Sequence, residues 1–198
     1  IMGPSGSGKS TLLHCMSGVL TPDTGEVIFD GSTISSLDDA SRSSLRLNHF
    51  GFIFQDGQLL PELTATENVA LPQIMRGVSR STAHAEAVET LTQLGLGAFT
   101  ERFPGQLSGG QIQRVAIARA LAGPPAVVFA DEPTAALDQA TGHEVMQQIT
   151  AVAQQAGVTL VLVTHDPKIA AWCNRCIEIR DGLIHNETRG EVAQPWGR

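Results

Sequence analysis

The chain has 198 residues, a formal net charge of −7 at pH 7 and 42% hydrophobic residues. This length suffices for one sizeable core, or for one core with a small subdomain. The negative charge argues against a nucleic-acid partner, and no apolar run approaches the ~18 residues that a membrane-spanning helix needs. Any role at a membrane is therefore expected to require a partner that spans it.

The first predicted element is a phosphate-binding loop, "GPSGSGKST" at residues 3–11, which fits the pattern G-x-x-x-x-G-K-[ST]. Its glycines allow a tight turn in which successive N–H groups point into one concavity, and a helix that begins near Lys9 adds its positive end. Lys9 places a cation at the β- and γ-phosphates, and the Ser10 hydroxyl suits Mg²⁺. Kinases, GTPases and motor ATPases share this loop, and the alternative is a Gly/Ser-rich turn without a ligand.

Apolar, β-rich runs then alternate with helical patterns, which predicts an α/β fold with phosphate chemistry at the strand ends. The predicted strands cover residues 25–31, 50–55, 126–133 and 158–165, with a final hairpin at 176–184 that turns at Asp181-Gly182. The predicted helices of this core cover residues 10–16, 111–121 and 141–155.

The middle of the chain differs, because residues 64–95 contain no convincing strand and two helical stretches. Ser81 or Thr82 is the expected N-cap of the second helix. We predict a single domain in which a helical subdomain at 63–110 is inserted into an α/β core. That core comprises residues 1–62 and 111–185, and a loose polar tail follows at 186–198.

Candidate catalytic side chains follow the predicted strands. Asp131 ends one strand and suits a Mg²⁺ held through water, and Glu132 comes next and suits a base that orients or deprotonates the attacking water. Two solvated acids in a surface turn are the alternative. Gln55 and His165 end two other strands and are expected to reach Mg²⁺, the attacking water or the γ-phosphate, although a lone histidine or glutamine there is more often structural.

The stretch "LSGGQIQRVAIARAL" at residues 107–121 contains a second small-residue phosphate cradle, Ser108-Gly109-Gly110, at a helix start. One chain has no obvious use for two cradles on one triphosphate. Two chains in a head-to-tail pair would use both, because each cradle could close over the nucleotide held by the Lys9 loop of the other chain.

Taken together, the motifs resemble the nucleotide-binding subunit of an ABC transporter over roughly residues 1–184. They match, in order, the Walker A loop at 3–11, the Q-loop glutamine Gln55, the signature "LSGGQ" at 107–111, the Walker B strand with Glu132, the D-loop "AALD" at 135–138 and the switch histidine His165.

The segment "FQ…LLP-x-LTA-x-ENV" is similar to an exporter-associated branch that includes lipoprotein-releasing, macrolide-export and cell-division (FtsE-like) ATPases. Two positions depart from that branch: the D-loop reads "TAALD" instead of "TGNLD", and Asn174 stands where "DR" is common. Neither change removes a catalytic group.

The resemblance implies a P-loop NTPase (RecA-like) core with an ABC-type helical subdomain, and ATP and Mg²⁺ as cofactors. The implied catalytic residues are Lys9, Glu132 and His165. The implied ATP contacts are Gly3, Pro4, Ser5, Gly6, Ser7, Gly8, Lys9, Ser10, Thr11 and Gln55 in the same chain, and Ser108, Gly109, Gly110, Gln111 and Asp138 from the partner chain. The implied Mg²⁺ ligands are Ser10, Gln55 and Asp131. The family carries strands and an adenine-stacking aromatic residue before the loop, so we expect an N-terminally truncated chain.

As for partners, the resemblance implies a second ATPase domain in a homodimer, and a transmembrane permease subunit or fused membrane domain. It implies a peripheral location at the cytoplasmic face of the inner membrane and a role in export or in lipid, lipoprotein or peptide extrusion. An FtsE-like regulatory ATPase that signals without transport is the main alternative. A DNA-repair ATPase would need a long coiled coil, for which no sustained heptads are found, and a translation-factor ATPase would need a second cassette. A small-molecule kinase would have no use for "LSGGQ".

Overall fold

The computed structural model of the protein describes residues 1–123 and 125–189, and within them helices and strands alternate as predicted for an α/β protein. The helices are α1 (Lys9–Met16), α2 (Asp39–His49), α3 (Ala65–Met75), α4 (Arg80–Gln93), α5 (Gly109–Leu121), α6 (Gln139–Ala156) and α7 (Pro167–Ala170). The strands are β1 (Ile28–Phe29), β2 (Ser32–Thr33), β3 (Phe50–Ile53), β4 (Val127–Asp131), β5 (Thr159–Val163), β6 (Arg175–Arg180) and β7 (Leu183–Arg189).

The chain divides into two compact units. The first unit combines Ile1–Arg46 with the chain from Val161 onward, and the second unit is Leu47–Leu160. The phosphate loop and His165 therefore belong to the first unit. The second unit contains the helical insert, the signature segment and both predicted carboxylates.

In the first unit, Met2 connects two strands. It forms parallel bridges with Thr164, directly after β5, and with Glu178 in β6. Parallel pairing sends neighbouring strands to the same edge of a sheet. Gly3 and His165, the residues that follow Met2 and Thr164, consequently leave the sheet at the same end, which agrees with phosphate chemistry at the strand ends.

The hairpin of β6 and β7 turns at Asp181-Gly182, as predicted, with φ of 48° and 76° at these two residues. Positive φ at both central positions is the conformation that matches the twist of a two-residue hairpin. The second strand continues to Arg189, beyond the predicted end of the hairpin at residue 184. The remainder of the predicted loose tail, 190–198, lies outside the described residues.

In the second unit, β3 and β4 pair in parallel, and the register runs from Phe50 opposite Val127 to Ile53 opposite Ala130. β5 is the third strand of this sheet, in the order β3-β4-β5. Helix α5 packs closely on β3, because a Cβ atom at Gly51 would lie 2.2 Å from the carbonyl oxygen of the α5 residue Ala120. The glycine thus permits a close approach between helix and strand.

The insert between β3 and α5 contains helices α3 and α4 and no strand among its described residues, as the sequence predicted. The predicted cap of α4 was wrong. Its N-cap is Ser79, whose hydroxyl accepts a hydrogen bond from the N–H of Thr82 (3.2 Å). Ser81 and Thr82 lie inside the first turn. Several hydroxyl residues in succession satisfy the capping preference equally well, so the choice depends on where the chain turns.

Helix α2 was not predicted from the sequence. None of its side chains is buried, and most of its residues are polar, with three serines and two arginines among eleven residues. Its two large apolar residues, Leu45 and Leu47, lie two positions apart and form no apolar stripe at i, i+3 and i+4.

Candidate functional site

The phosphate loop wraps around its own lysine. Helix α1 begins at Lys9, and Gly8 before it adopts the left-handed conformation at φ 92°, as does Gly6 at φ 79°. The Lys9 side chain is buried, and its Nζ donates a hydrogen bond to the Pro4 carbonyl oxygen (2.8 Å). The Ser7 N–H also donates to this oxygen (3.3 Å). The loop therefore holds a cation within the curve that its backbone forms.

Two further residues of the loop, Gly3 and Ser7, are closely packed. Gly3 is confined, because a Cβ atom there would lie 2.1 Å from the Ile179 carbonyl oxygen and 3.0 Å from Ser7 Oγ. The Ser7 hydroxyl is buried and has no hydrogen-bond partner among the described residues. An unsatisfied buried hydroxyl costs about 1–3 kcal/mol, and a phosphate oxygen that accepted its proton would relieve that cost.

The other predicted residues of the first unit lie on its surface. Pro4, Ser5 and Gly6 are exposed at the tip of the loop, and Ser10 and Thr11 are exposed in the first turn of α1. His165 is exposed directly after β5. Its neighbour Asp166 caps α7 by accepting a hydrogen bond from the Lys168 N–H (2.8 Å).

Three predicted residues lie at one sheet edge in the second unit. Gln55 and Glu132 each stand two residues beyond the last paired positions, Ile53 and Ala130, and Asp131 ends β4. Asp131 and Glu132 are half-buried and Gln55 is exposed. Glu132 has a φ of 47°. A left-handed conformation is unfavourable for a residue with a side chain, and such strain concentrates at functional sites.

The signature segment forms a capped helix start. Ser108 is the N-cap of α5, and its Oγ accepts a hydrogen bond from the Gln111 N–H (3.3 Å). In return, the Ser108 N–H donates to Gln111 Oε1 (2.8 Å). Gly109 and Gly110 form the first turn. Their N–H groups stand at the positive end of the helix, where an anion is favoured.

The signature residues and the D-loop share one surface cavity of about 410 Å³. Its lining includes Ser108, Gly109, Gly110, Gln111 and Asp138. Asp138 is the N-cap of α6, and the hydrogen bond from the Thr141 hydroxyl (2.6 Å), with further bonds from the backbone of the first turn, lowers the pKa of this carboxyl. This geometry favours the prediction that the signature residues and the D-loop form one surface that contacts nucleotide.

The cavity is also lined by residues that the sequence did not predict. Thr141, Arg114 and Glu144 line it, and Arg114 is paired with Glu144 across a distance of 2.7 Å. Arg114 is one of several polar residues in α5, so its position in the helix gave no separate signal. The contact with Glu144 joins positions 30 residues apart, so no local pattern could have indicated it.

The Mg²⁺ prediction rests on donor chemistry. Ser10, Gln55 and Asp131 would supply a hydroxyl, an amide oxygen and a carboxylate, which are the hard oxygen ligands that Mg²⁺ prefers. The described residues contain no group of three or more histidine, cysteine, aspartate or glutamate side chains that could hold a metal. The predicted set has one carboxylate and so depends on phosphate oxygens and water for its remaining ligands.

Within the described ranges, no helix combines the length and the apolar character that crossing a membrane requires.

Comparison with known proteins gives a consistent result. The profile of the family described as ABC transporter matches residues 1–135. The lipoprotein-releasing system ATP-binding protein LolD of Bordetella pertussis is 47% identical over 184 residues, which are 93% of this chain and 80% of LolD. The probable syringafactin export ATP-binding/permease protein SyfD of Pseudomonas syringae is 47% identical over 98% of this chain and 29% of SyfD. The cassette MJ0796, solved as a dimer bound to ADP and Pi, is 43% identical with a TM-score of 0.87, covering 95% of this chain and 83% of MJ0796.

Proposed function

This chain belongs to the ABC transporter family and is an ATPase with the predicted P-loop NTPase fold, and we propose that it hydrolyses ATP as a head-to-tail dimer that powers a membrane partner. The observation that carries the proposal is the open cavity at Ser108 and Asp138. It contains a phosphate cradle at the start of α5, which is a second cradle besides the loop at residues 3–11. A cradle of this kind has a use when a second protomer supplies the nucleotide. MJ0796 is reported as a dimer bound to ADP and Pi, which supports a dimeric ATPase.

In each composite site, the Lys9 loop binds the β- and γ-phosphates of ATP. The buried ammonium and the loop amides neutralise charge there without reorganisation at the moment of reaction. Ser10, Gln55 and Asp131 would hold Mg²⁺, which, when bound, neutralises the charge that develops on the phosphates. Gly3, Pro4, Ser5, Gly6, Ser7, Gly8 and Thr11 complete the contacts of this protomer with the nucleotide.

The reaction is an in-line attack of water on the γ-phosphate. Glu132 orients the water and accepts its proton, while His165 stabilises the charge on the γ-phosphate. The other protomer contributes Ser108, Gly109 and Gly110 to the γ-phosphate, and Gln111 and Asp138 to the geometry of that contact. A dry, closed interface strengthens each of these electrostatic interactions.

The membrane partner is a permease subunit or a fused membrane domain, with the dimer bound peripherally at the cytoplasmic face of the inner membrane. The helical subdomain at 63–110 and the loop of Gln55 receive this partner. Export or extrusion of a lipid, lipoprotein or peptide is the favoured role, since the names of both LolD and SyfD describe release or export.

The proposal is tested by ATP turnover across a protein concentration series, beside the variant Glu132→Gln. Turnover should rise faster than linearly with concentration, because the active form is a dimer. Glu132→Gln should bind ATP but not turn it over, and light scattering should detect a stable ATP-dependent dimer. Turnover per molecule that is independent of concentration, together with an active Glu132→Gln variant, would contradict both the composite site and the base.

A further inference from the structure

The loop that carries Gln55 is tied to the signature helix. Two side chains of α5 hold three backbone carbonyls of this loop. Gln113 Nε2 donates to the Phe54 carbonyl oxygen (3.0 Å). Arg119 donates to the other two carbonyls. One guanidinium nitrogen donates to the Gly57 oxygen (2.7 Å) and another donates to the Gln58 oxygen (2.7 Å). The three carbonyls lie on both sides of Gln55.

Of the two polar side chains that make these contacts, Gln113 is buried and Arg119 is half-buried. Gln113 is 2% exposed and its neighbours along α5 are mostly buried apolar residues. Burial also lowers the pKa of the Arg119 guanidinium. Because burying an amide without a partner is costly, the Phe54 carbonyl is a required partner of Gln113, while the two carbonyls bound by Arg119 fix its half-buried guanidinium.

Gly57 brings the loop directly onto the helix. Its φ is +72°, and a Cβ atom at this position would lie 2.6 Å from Ile112 Cγ2. The Gly57 N–H closes a turn with the Phe54 carbonyl oxygen (3.0 Å). The loop backbone at Gly57 therefore packs directly against the Ile112 side chain of α5, which leaves no room for a side chain on the loop at this position.

We propose that Gln113 and Arg119 are positioning residues, which make the Gln55 loop and the signature helix move as one element. Helix α5 is continuous from Gly109 to Leu121. A displacement of the Gln55 loop consequently shifts the cradle that starts at Ser108, and closure of the cradle on nucleotide fixes the place of Gln55. This inference rests on the proposed function, because it assigns Gln55 a role in ATP hydrolysis.

The test is a double-mutant cycle between Arg119→Lys and Gln55→Ala in the full chain. Lysine keeps the charge but lacks the planar fork that spans two carbonyl oxygens. Arg76→Lys is the matched control, because Arg76 is a second desolvated arginine of this unit that donates to backbone carbonyls, those of Leu47 and Ala122, outside the loop. The readouts are the ATP dissociation constant, the binding stoichiometry, and kcat per binding-competent protomer.

Arg119→Lys should lower kcat about tenfold, the effect typical of residues that orient a metal-site ligand, and should leave the ATP dissociation constant within about twofold. In the Gln55→Ala background the same substitution should change kcat by less than about twofold, because the group through which it acts is gone. Arg76→Lys should change kcat by the same small factor in both backgrounds. If Arg119→Lys fails to fold, the same cycle is measured with Gln113→Met, which has a similar volume and removes the hydrogen bond to the Phe54 carbonyl oxygen.

The outcomes separate the two proposals. If turnover depends on Glu132 and on Gln55, but the effects of Arg119→Lys and Gln55→Ala multiply in full, the positioning role is wrong and the proposed function stands. Wild-type kcat in both Arg119→Lys and Gln113→Met also overturns it. If Gln55→Ala keeps full turnover, Gln55 has no role in hydrolysis, and the positioning role of Gln113 and Arg119 is overturned. Turnover that does not depend on Glu132 overturns the proposed function instead.

Discussion

The packing between α5 and α6 makes Gly110→Ala an informative substitution. A Cβ atom at Gly110 would lie 2.6 Å from Thr141 Cγ2. Thr141 cannot rotate away freely, because its hydroxyl donates to Asp138 Oδ2 (2.6 Å). Overpacking of this kind costs about 1–3 kcal/mol, and the higher helix propensity of alanine returns about 1 kcal/mol. The net destabilisation is therefore about 1 kcal/mol, which lowers the Tm of a chain of this length by about 2–4 °C.

The larger effect falls on function. Relief of the overlap moves the first turn of α5 away from α6, and the starts of both helices line the cavity at which we propose that nucleotide binds. Misplacement of contact groups by about 1 Å can cost up to about a hundredfold in rate, so ATP turnover should fall by about tenfold or more. The assay compares turnover with thermal unfolding of the same preparations, so that a loss of folded protein is not mistaken for a loss of chemistry.

The matched variants identify the cause. Thr141→Ser removes Cγ2 but keeps the hydroxyl that binds Asp138, so the double variant Gly110→Ala/Thr141→Ser should recover both Tm and turnover. Gly109→Ala is the control for stability, because its Cβ would lie at an ordinary 3.5 Å from Leu137 Cδ2 and should not lower Tm. A single Gly110→Ala variant with parental Tm and turnover, or a double variant no better than the single one, would refute the steric account.

Three further predictions concern the loop and the caps. Ser79→Ala should cost about 1 kcal/mol and lower Tm by about 2–4 °C, whereas Ser81→Ala should change Tm little; equal effects would contradict the observed cap of α4. Gly3→Ala should abolish ATP binding in a titration, because its Cβ would overlap a β6 carbonyl oxygen; parental affinity would refute the confinement of the loop. The Thr141 hydroxyl and the backbone bonds of α6 lower the folded pKa of Asp138, so the stability it contributes is present above the ordinary aspartate pKa and is lost as pH falls through the lowered value. Tm measured across acid pH should depend less steeply on pH in Asp138→Asn, and an unchanged slope would contradict the assignment.

Local patterns were sufficient to predict much of the molecule. The apolar run that ends at Asp131 is a buried strand, and the Asp181-Gly182 turn closes a hairpin, because each feature depends on a few consecutive residues. The motif order predicted the family in the same way. Helix α2 was missed because it buries no side chain and has only two large apolar residues, Leu45 and Leu47, too few to form an apolar stripe.

The contacts between distant segments were not predictable from these patterns. Gln113 is 59 residues from Phe54, and Arg119 is 62 residues from Gly57. Each is, in sequence, one of several polar residues in α5. Only the close packing of α5 on the Gln55 loop explains why polar side chains are retained at these positions.

The capping geometry also assigns different roles to the residues of the signature segment. The Oε1 and N–H of Gln111 are both engaged with Ser108, at 2.8 and 3.3 Å. The first two amides of a helix have no acceptor within the helix, so the N–H groups of Gly109 and Gly110 remain available, together with the hydroxyl proton of Ser108. In the proposed dimer, these three donors would face the γ-phosphate, and Gln111 would fix the Ser108 backbone and hydroxyl. The glutamine then holds the helix start in place and the serine binds phosphate. The two residues depend on each other, which explains why both occur within the same five residues.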